Sequence, residues 1–261
     1  MTDVSKELET AVAAARAGGE AILAVPPETP ERGSHADHRS EEAILAVLRA
    51  AFPEDAILSE ESADDEARLG RERVWIVDPL DGTREYDAGL DEYAVSVALA
   101  VGGRPAAGAV FHPPAGEMFR ASRDEGSFLG DTRLRVKEAP PLARCRVAAS
   151  RSSHEDGHLD DLEAAASMLV PLGSIAWRMA LVAAGRYDFT LSVHPLSEWD
   201  ICAGHLVLAE AGGTVLLPDG AEPTYNRRET RLPAGLLALP ANAAQLADEI
   251  RALGLASGRC R

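Results

Sequence analysis

Apolar positions change period along this chain, and the changes mark out its elements. Residues 3–25 are alanine-rich and read as a helix, and 40–52 read as a second, with Ala43, Leu45, Ala46 and Leu48 at helical spacing. Pro26-Pro27 and Pro30 break the chain between them. Ala56-Ile57-Leu58 is a short strand running into Ser59-Glu60-Glu61. The run Val74-Trp75-Ile76-Val77 is apolar on both faces, as expected of a strand inside a sheet. Val95, Val97, Leu99 and Val101 then alternate with small residues, and 105–112 and 117–121 follow. This predicts an antiparallel meander turned at Pro113-Pro114-Ala115-Gly116. A Pro-rich join, Glu138-Ala139-Pro140-Pro141, leads to a second portion with strands at 145–150, 168–172, 187–193 and 234–239. Its helices fall near 156–167, 174–185, 200–212 and 242–253. No repeat period appears. The pattern divides the chain into portions 1–139 and 140–261, and periodicity alone gives the class as α/β or α+β.

The strand at 74–77 ends in Asp78-Pro79-Leu80-Asp81-Gly82-Thr83, two carboxylates three residues apart followed by a glycine and a hydroxyl. Hard divalent cations such as Mg²⁺ are held this way, by a few carboxylates with water and phosphate completing the shell. Gly82 lets backbone approach an anion, and Thr83 opens a helix whose free N–H groups favour phosphate. The alternative is an Asp-rich turn that merely caps a helix. A calcium loop of the EF-hand kind is excluded, because the sixth and twelfth positions from Asp78 are Thr83 and Gly89. Glu60-Glu61 and Asp200, in Glu198-Trp199-Asp200-Ile201-Cys202-Ala203-Gly204, also place acids at element ends. Read singly, the first is a solvated edge and the second an N-cap; with the Asp78 turn they form a candidate metal set.

These three segments, in this order, resemble the inositol monophosphatase superfamily of Mg²⁺-dependent, lithium-sensitive phosphatases. Members carry G/S-E-E, then W-I-V/I-D-P-L/I-D-G-T, then W-D-x-A-A/G-G, matched here by Ser59 to Glu61, Trp75 to Thr83 and Trp199 to Gly204. The resemblance implies a layered α/β/α/β/α sugar-phosphatase fold with the site between the two portions. It implies that Glu60, Asp78 and the Leu80 carbonyl hold one Mg²⁺ and that Asp78, Asp81 and Asp200 hold a second. Glu60, Asp81 and Thr83 would carry the catalysis, Thr83 with Glu60 behind it orienting the water. The N–H groups of Gly82 and Thr83 would hold phosphate oxygens, joined by Asp81, Asp200 and the Gly173-Ser174-Ile175 segment at the substrate. A third cation site would use Asp37, in Ser34-His35-Ala36-Asp37, with Glu61. Relatives place a lysine upstream of that aspartate, whereas this chain has Glu31-Arg32-Gly33.

The turn continues Arg84-Glu85-Tyr86, closer to the 3′(2′),5′-bisphosphate nucleotidase branch than to the inositol branch, where T-x-N-F is usual. This favours removal of the 3′-phosphate of adenosine 3′,5′-bisphosphate, with inositol 1-phosphate or another small sugar phosphate as the alternative. A rival of another class is a relative that binds a phosphorylated ligand without turning it over. Arg178, one turn beyond Ser174, is a candidate for a second phosphate or an exposed residue meeting water. Ser174 doubles as an N-cap candidate, Trp177 as core or an adenine platform, and His194, Pro195 and Glu198 as pocket lining.

Composition narrows the partners. Of 261 residues 46% are apolar, enough for a sizeable core, and the net charge is −16. A nucleic-acid polymer would be repelled, since no basic stripe offsets that charge. A small anion remains compatible with it because bound cations reverse the local field. Cys145, Cys202 and Cys260 are too few and scattered for a zinc site or disulfide framework, so reduced thiols are expected. No apolar run reaches the roughly 18 residues of a membrane span, and Met1 to Glu7 lacks the basic flank of a signal peptide. A cytoplasmic protein off the membrane is expected. The resemblance implies a homodimer, but no interface is legible.

Overall fold

The computed structural model describes residues 5–256. In chain order the elements are α1 (Ser5–Leu23), α2 (Arg32–Ala51), β1 (Ala56–Ser59), β2 (Arg73–Asp81), α3 (Thr83–Asp87), β3 (Ala94–Val101) and β4 (Arg104–His112). Then come β5 (Glu117–Ser122), β6 (Gly126–Leu129), β7 (Thr132–Arg133), β8 (Arg146–Ser150), α4 (Arg151–Glu155), α5 (Asp160–Ala165) and β9 (Met168–Leu172). The chain finishes with α6 (Ile175–Ala183), β10 (Phe189–Ser192), β11 (Leu196–Ser197), α7 (Glu198–Ala209), β12 (Gly213–Leu216), β13 (Arg231–Leu232), β14 (Leu236–Pro240) and α8 (Ala244–Ala252).

Two sheets carry the fold. The first runs β1 to β7 in sequential order, antiparallel except for the parallel β1–β2 pair. The second is ordered β12-β14-β10-β8-β9, with β8 parallel to β9 and β10 and the rest antiparallel. Pro171 sits on β9, an edge strand, where its missing N–H leaves no ladder bond unmade. Residues 134–145 connect β7 of the first sheet to β8 of the second.

Side-chain alternation explains the layering. From β2, Trp75 and Val77 face α1 and α2 with Val95, Val97 and Leu99 of β3, forming one core. On the other face Val74, Ile76, Ala94, Ala98 and Ala100 meet α6, α7 and the inner face of the second sheet. A third core lies outside the second sheet, beneath α5 and α8. Three cores between five layers make the α/β/α/β/α architecture, the fold class expected from the resemblance. The middle layer is built from small residues for close approach. A Cβ on Gly204 of α7 would lie 3.2 Å from the Ala176 Cα of α6, which explains why the small-residue segment after Asp200 packs between sheets rather than facing water.

Three differences from the sequence reading have physical causes. The second helix begins at Arg32, eight residues before the predicted 40, although Glu31 at its N-cap makes no side-chain cap. The cap is tertiary: the Gly33 N–H donates to Asp87 Oδ1 of α3 at 2.7 Å. The helix predicted over 156–167 is instead α4 and α5, with Ser150 at the N-cap of α4 and Gly157 at φ 73 in the turn between them. The short strands β6, β7, β11, β12 and β13 had no alternation to announce them. The predicted strands at 168–172 and 145–150 match β9 and β8 to within a residue.

Candidate active site

The end of β2 is where the acids gather. Its register against β3 shifts between Asp78 and Asp81, which turns both carboxylates out of the ladder. Gly82 adopts φ 101, and a Cβ there would lie 2.7 Å from the Glu92 carbonyl oxygen, so only glycine fits this turn. Asp78 is buried and accepts the Leu80 N–H at 3.0 Å. Carboxylate oxygens of Glu60, Asp78 and Asp200 lie within 4.8 Å of one another, bringing together the ends of β1, β2 and the first turn of α7. Asp200 is not the N-cap but the third residue of α7. Its Oδ2 accepts the Ser197 N–H at 2.7 Å, so one carboxylate both caps a helix and joins the cluster.

Asp81 is held from the opposite layer. Its Oδ2 accepts the Ser174 hydroxyl and the Ala176 N–H, both at 2.7 Å. Ser174 Oγ also accepts the Trp177 N–H at 3.1 Å, so this residue is the N-cap of α6. Ser174 has φ 43, a strained conformation for a residue with a Cβ. Gly173 donates its N–H to Glu92 Oε2 at 3.0 Å, and Arg151 grips the same carboxylate in a bidentate pair.

The carboxylate that Thr83 contacts in this structure is that of Asp37. Thr83 Oγ lies 3.1 Å from Asp37 Oδ2 and 2.9 Å from the Leu80 carbonyl. Asp37, which precedes the helix predicted at 40–52, is buried in α2, with Glu41 one turn on, also buried. Glu41 escaped the sequence reading; its signal is the i, i+4 spacing from Asp37, legible only once the helix is known to begin at Arg32. Glu61 stands nearby and pairs with His38 at 3.4 Å.

Electrostatically the cluster is unbalanced. Burial, then the charges of Glu60 and Asp81, push Asp78 well above the carboxylate range. Asp200 is raised to about 8 by burial and by Asp81. Asp37 goes to about 7 through burial and Glu61. Glu60 opens to solvent on one side, yet crowding on the others and the charges of Asp37 and Asp81 lift it to about 7. Asp81 is raised by burial against its two hydrogen bonds. Asp37 Oδ1 is buried with no hydrogen-bond partner among the described residues. An all-oxygen donor set with several mutually repelling acids and an orphaned carboxylate oxygen fits a hard divalent cation such as Mg²⁺.

Arg178 departs from the exposed position expected for it. It is buried, donates to Thr190 Oγ1 and the Leu191 carbonyl, each at 2.9 Å, and is lowered to about 10 by desolvation. Its field still reaches Asp81. Glu198 turns away from the cleft, accepting the Asn226 and Arg227 N–H groups at 2.7 and 2.9 Å. Trp177 stacks on His112, centroids 4.1 Å apart. Cys145 and Cys202 are buried free thiols, while Cys260 lies outside the described residues. A cleft of ≈ 280 Å³ opens over Asp81, Thr83, Ser174 and Asp200, with Arg84, Ser150, Ser192 and His194 around its mouth.

Comparison with known proteins settles the lineage. The model of the "Inositol monophosphatase family" matches residues 3–254. The chain belongs to the inositol monophosphatase family. An "Inositol-1-monophosphatase" of Mesorhizobium japonicum is 38% identical over 196 residues, 72% of this chain and 73% of the relative. A "Nus factor SuhB" of Pasteurella multocida is 37% identical over 186 residues, 69% of each chain. Among solved structures, the suhB extragenic suppressor protein of Bartonella henselae superposes with TM-score 0.81 at 32% identity, covering 96% of this chain and 100% of the other. CysQ of Bacteroides thetaiotaomicron superposes with TM-score 0.80 at 27% identity, covering 92% and 99%. As a family member the chain has a phosphatase scaffold. Among the described residues no helix is long and apolar enough to cross a membrane.

Proposed function

We propose that this protein hydrolyses a small phosphate monoester with the aid of Mg²⁺ held by Glu60, Asp78, the Leu80 carbonyl, Asp81 and Asp200. The observation that carries the reading is the Thr83–Asp37 contact beside the carboxylate cluster. A bound Mg²⁺ supplies Lewis-acid charge and lowers the pKa of water. Thr83 Oγ orients the attacking water and Asp37 accepts the proton passed through that hydroxyl, a role suited to a carboxyl raised to about 7. The N–H groups of Gly82 and Thr83 face the phosphate oxygens. Ser174 and Ala176 keep Asp81 from swinging away as charge moves. Asp37 with Glu61 and Glu41 forms a looser acidic patch for a third ion. A protein that only binds phosphate needs no hydroxyl–carboxylate relay, which favours hydrolysis over a binding-only role.

For the substrate, a polyol phosphate of the inositol 1-phosphate type is the better fit. Serines 150, 152 and 192 line the cleft and suit hydroxyl groups, whereas Arg178, the candidate for a second phosphate, commits Nη1 to Thr190 and Leu191 and brings to the cleft only its remaining donors, Nε being without a hydrogen-bond partner among the described residues. Adenosine 3′,5′-bisphosphate is the second reading, carried by Arg84 at the mouth, whose side chain is 63% exposed and pairs with Glu155. Side-by-side kcat/KM for inositol 1-phosphate, adenosine 3′,5′-bisphosphate and fructose 1,6-bisphosphate tests both. The expected order puts the inositol ester first, with inhibition by Li⁺ and Ca²⁺. Absence of Mg²⁺-dependent phosphate release from all three would reject the proposal.

A further inference from the structure

We propose that Asp156, His158 and His194 form a separate metal site, for an imidazole-preferring divalent cation of the Zn²⁺ class, on the rim of the cleft. One ligand atom from each lies within 4.8 Å of the other two. A tetrahedral Zn²⁺ bound at about 2.0–2.1 Å keeps neighbouring ligand atoms roughly 3.3 Å apart. Closing that difference takes side-chain rotation, not backbone movement. Asp156 and His158 are exposed and His194 half-buried, so the rotations meet no packed core. Among the described residues no side-chain hydrogen bond or ion pair of these three has to be broken.

The backbone beneath is already set. The Asp156, Gly157 and His158 N–H groups donate to the Ser152, His154 and Ser153 carbonyls, each at 3.0 Å. Gly157 at φ 73 brings its two neighbours to one side of the turn between α4 and α5. Across the gap, Ser192 Oγ donates to the His194 carbonyl at 3.0 Å. The His158 and His194 rings meet edge to face, centroids 5.2 Å apart at 64°.

The donor set separates this site from the acidic one. Two imidazoles and one carboxylate suit Zn²⁺, Co²⁺ or Ni²⁺, whereas Mg²⁺ prefers oxygen. Three protein ligands leave a fourth position for water or an oxygen of the substrate. His194 lines the cleft and lies six residues before Asp200 in sequence. An ion there ties the α4–α5 turn to the connection that carries Asp200.

The full-length Asp78→Asn protein isolates the rim site, because the isosteric change weakens the oxygen cluster while removing a buried charge. Calorimetric titration with Zn²⁺ in excess Mg²⁺ is expected to give one bound Zn²⁺ per chain. Adding His158→Ala should weaken it about a hundredfold, with metal-free thermal unfolding unchanged. In the otherwise unaltered protein, Co²⁺ should give the intense visible absorption of a four-coordinate, nitrogen-bearing site, lost with Asp156→Asn plus His194→Ala. An isotherm unaffected by His158→Ala, no Zn²⁺ uptake by Asp78→Asn, or a Co²⁺ spectrum of six-coordinate oxygen type would each overturn the proposal. None of these readouts depends on hydrolysis, so its failure is distinct from failure of the proposed activity.

Discussion

The floor and the wall of the cleft are both acidic, yet they are held in different ways. On the floor, Asp78, Asp81 and Asp200 are fixed by backbone and hydroxyl donors from three elements: the Leu80 N–H, the Ser174–Ala176 start of α6, and Ser197 ahead of α7. On the wall, Asp37 keeps one buried oxygen unpartnered, and Glu60 faces solvent. The difference separates two tasks. On the proposed reading, carboxylates each held by fixed donors at one oxygen form a preorganised cradle for positive charge, while a carboxyl that meets a hydroxyl and keeps its other oxygen free is placed to take a proton.

The largest test of that contrast is Asp81→Asn. An amide still accepts from Ser174 and Ala176 but removes a charge, so hydrolysis should fall by about a thousandfold or more. Metal-free stability should rise by about 1 kcal/mol, read by denaturant unfolding. Unchanged turnover would take Asp81 out of the cation cradle.

Next in size, Asp37→Asn and Thr83→Ala should each lower kcat by roughly 10²–10³. Because the two act as one relay, the double variant should be little worse than either single change. Independent, multiplying losses would separate the pair.

Acid–base linkage gives an intermediate effect. Asp37, Glu60 and Asp200 have folded pKa values raised to about 7, 7 and 8, so between their unfolded values and these the folded metal-free chain binds more protons. Its stability should therefore fall as pH rises through this window, by at most about 1.4 kcal/mol per pH unit per group. His205 acts oppositely, since burial lowers it to about 4. It costs stability as pH drops below 6.5 and little above, so pH 6.5 to 8 reports the carboxylates together with exposed His38, which its hydrogen bond to the Ser34 carbonyl raises and which acts in the same direction. Thermal unfolding in chelator should show the decline there, and saturating Mg²⁺ should flatten it.

The smallest effect belongs to Arg84, at the mouth beyond floor and wall. Arg84→Ala should raise KM for inositol 1-phosphate no more than about threefold, since an exposed charge contributes about 0–1 kcal/mol. A loss of tenfold or more confined to adenosine 3′,5′-bisphosphate would shift the substrate assignment to the nucleotide.

Legibility in the sequence followed how local each signal was. The β2 strand and the Asp78–Thr83 turn were readable because an apolar run, two acids and a glycine lie within ten residues. The start of α2 was not, because its cap is Asp87, 54 residues downstream of Gly33. With that start hidden, the Asp37, Ser40, Glu41 and Ile44 face could not be recognised as a buried stripe, and the Thr83–Asp37 contact was not legible. Arg178 was misjudged for a similar reason: the core acceptors that make its burial tolerable, Thr190 and Leu191, sit on a strand of the other layer.

By itself the sequence determined the mixed α/β class, through its motifs the resemblance to a layered family, and which acids are available for a cation, since periodicity and close spacing are properties of the chain. Tertiary structure alone decided which oxygen meets which hydroxyl, which arginine is hidden and which histidines share a rim. Those facts depend on donors and charges brought together from separate layers, and no local pattern encodes a distance between layers.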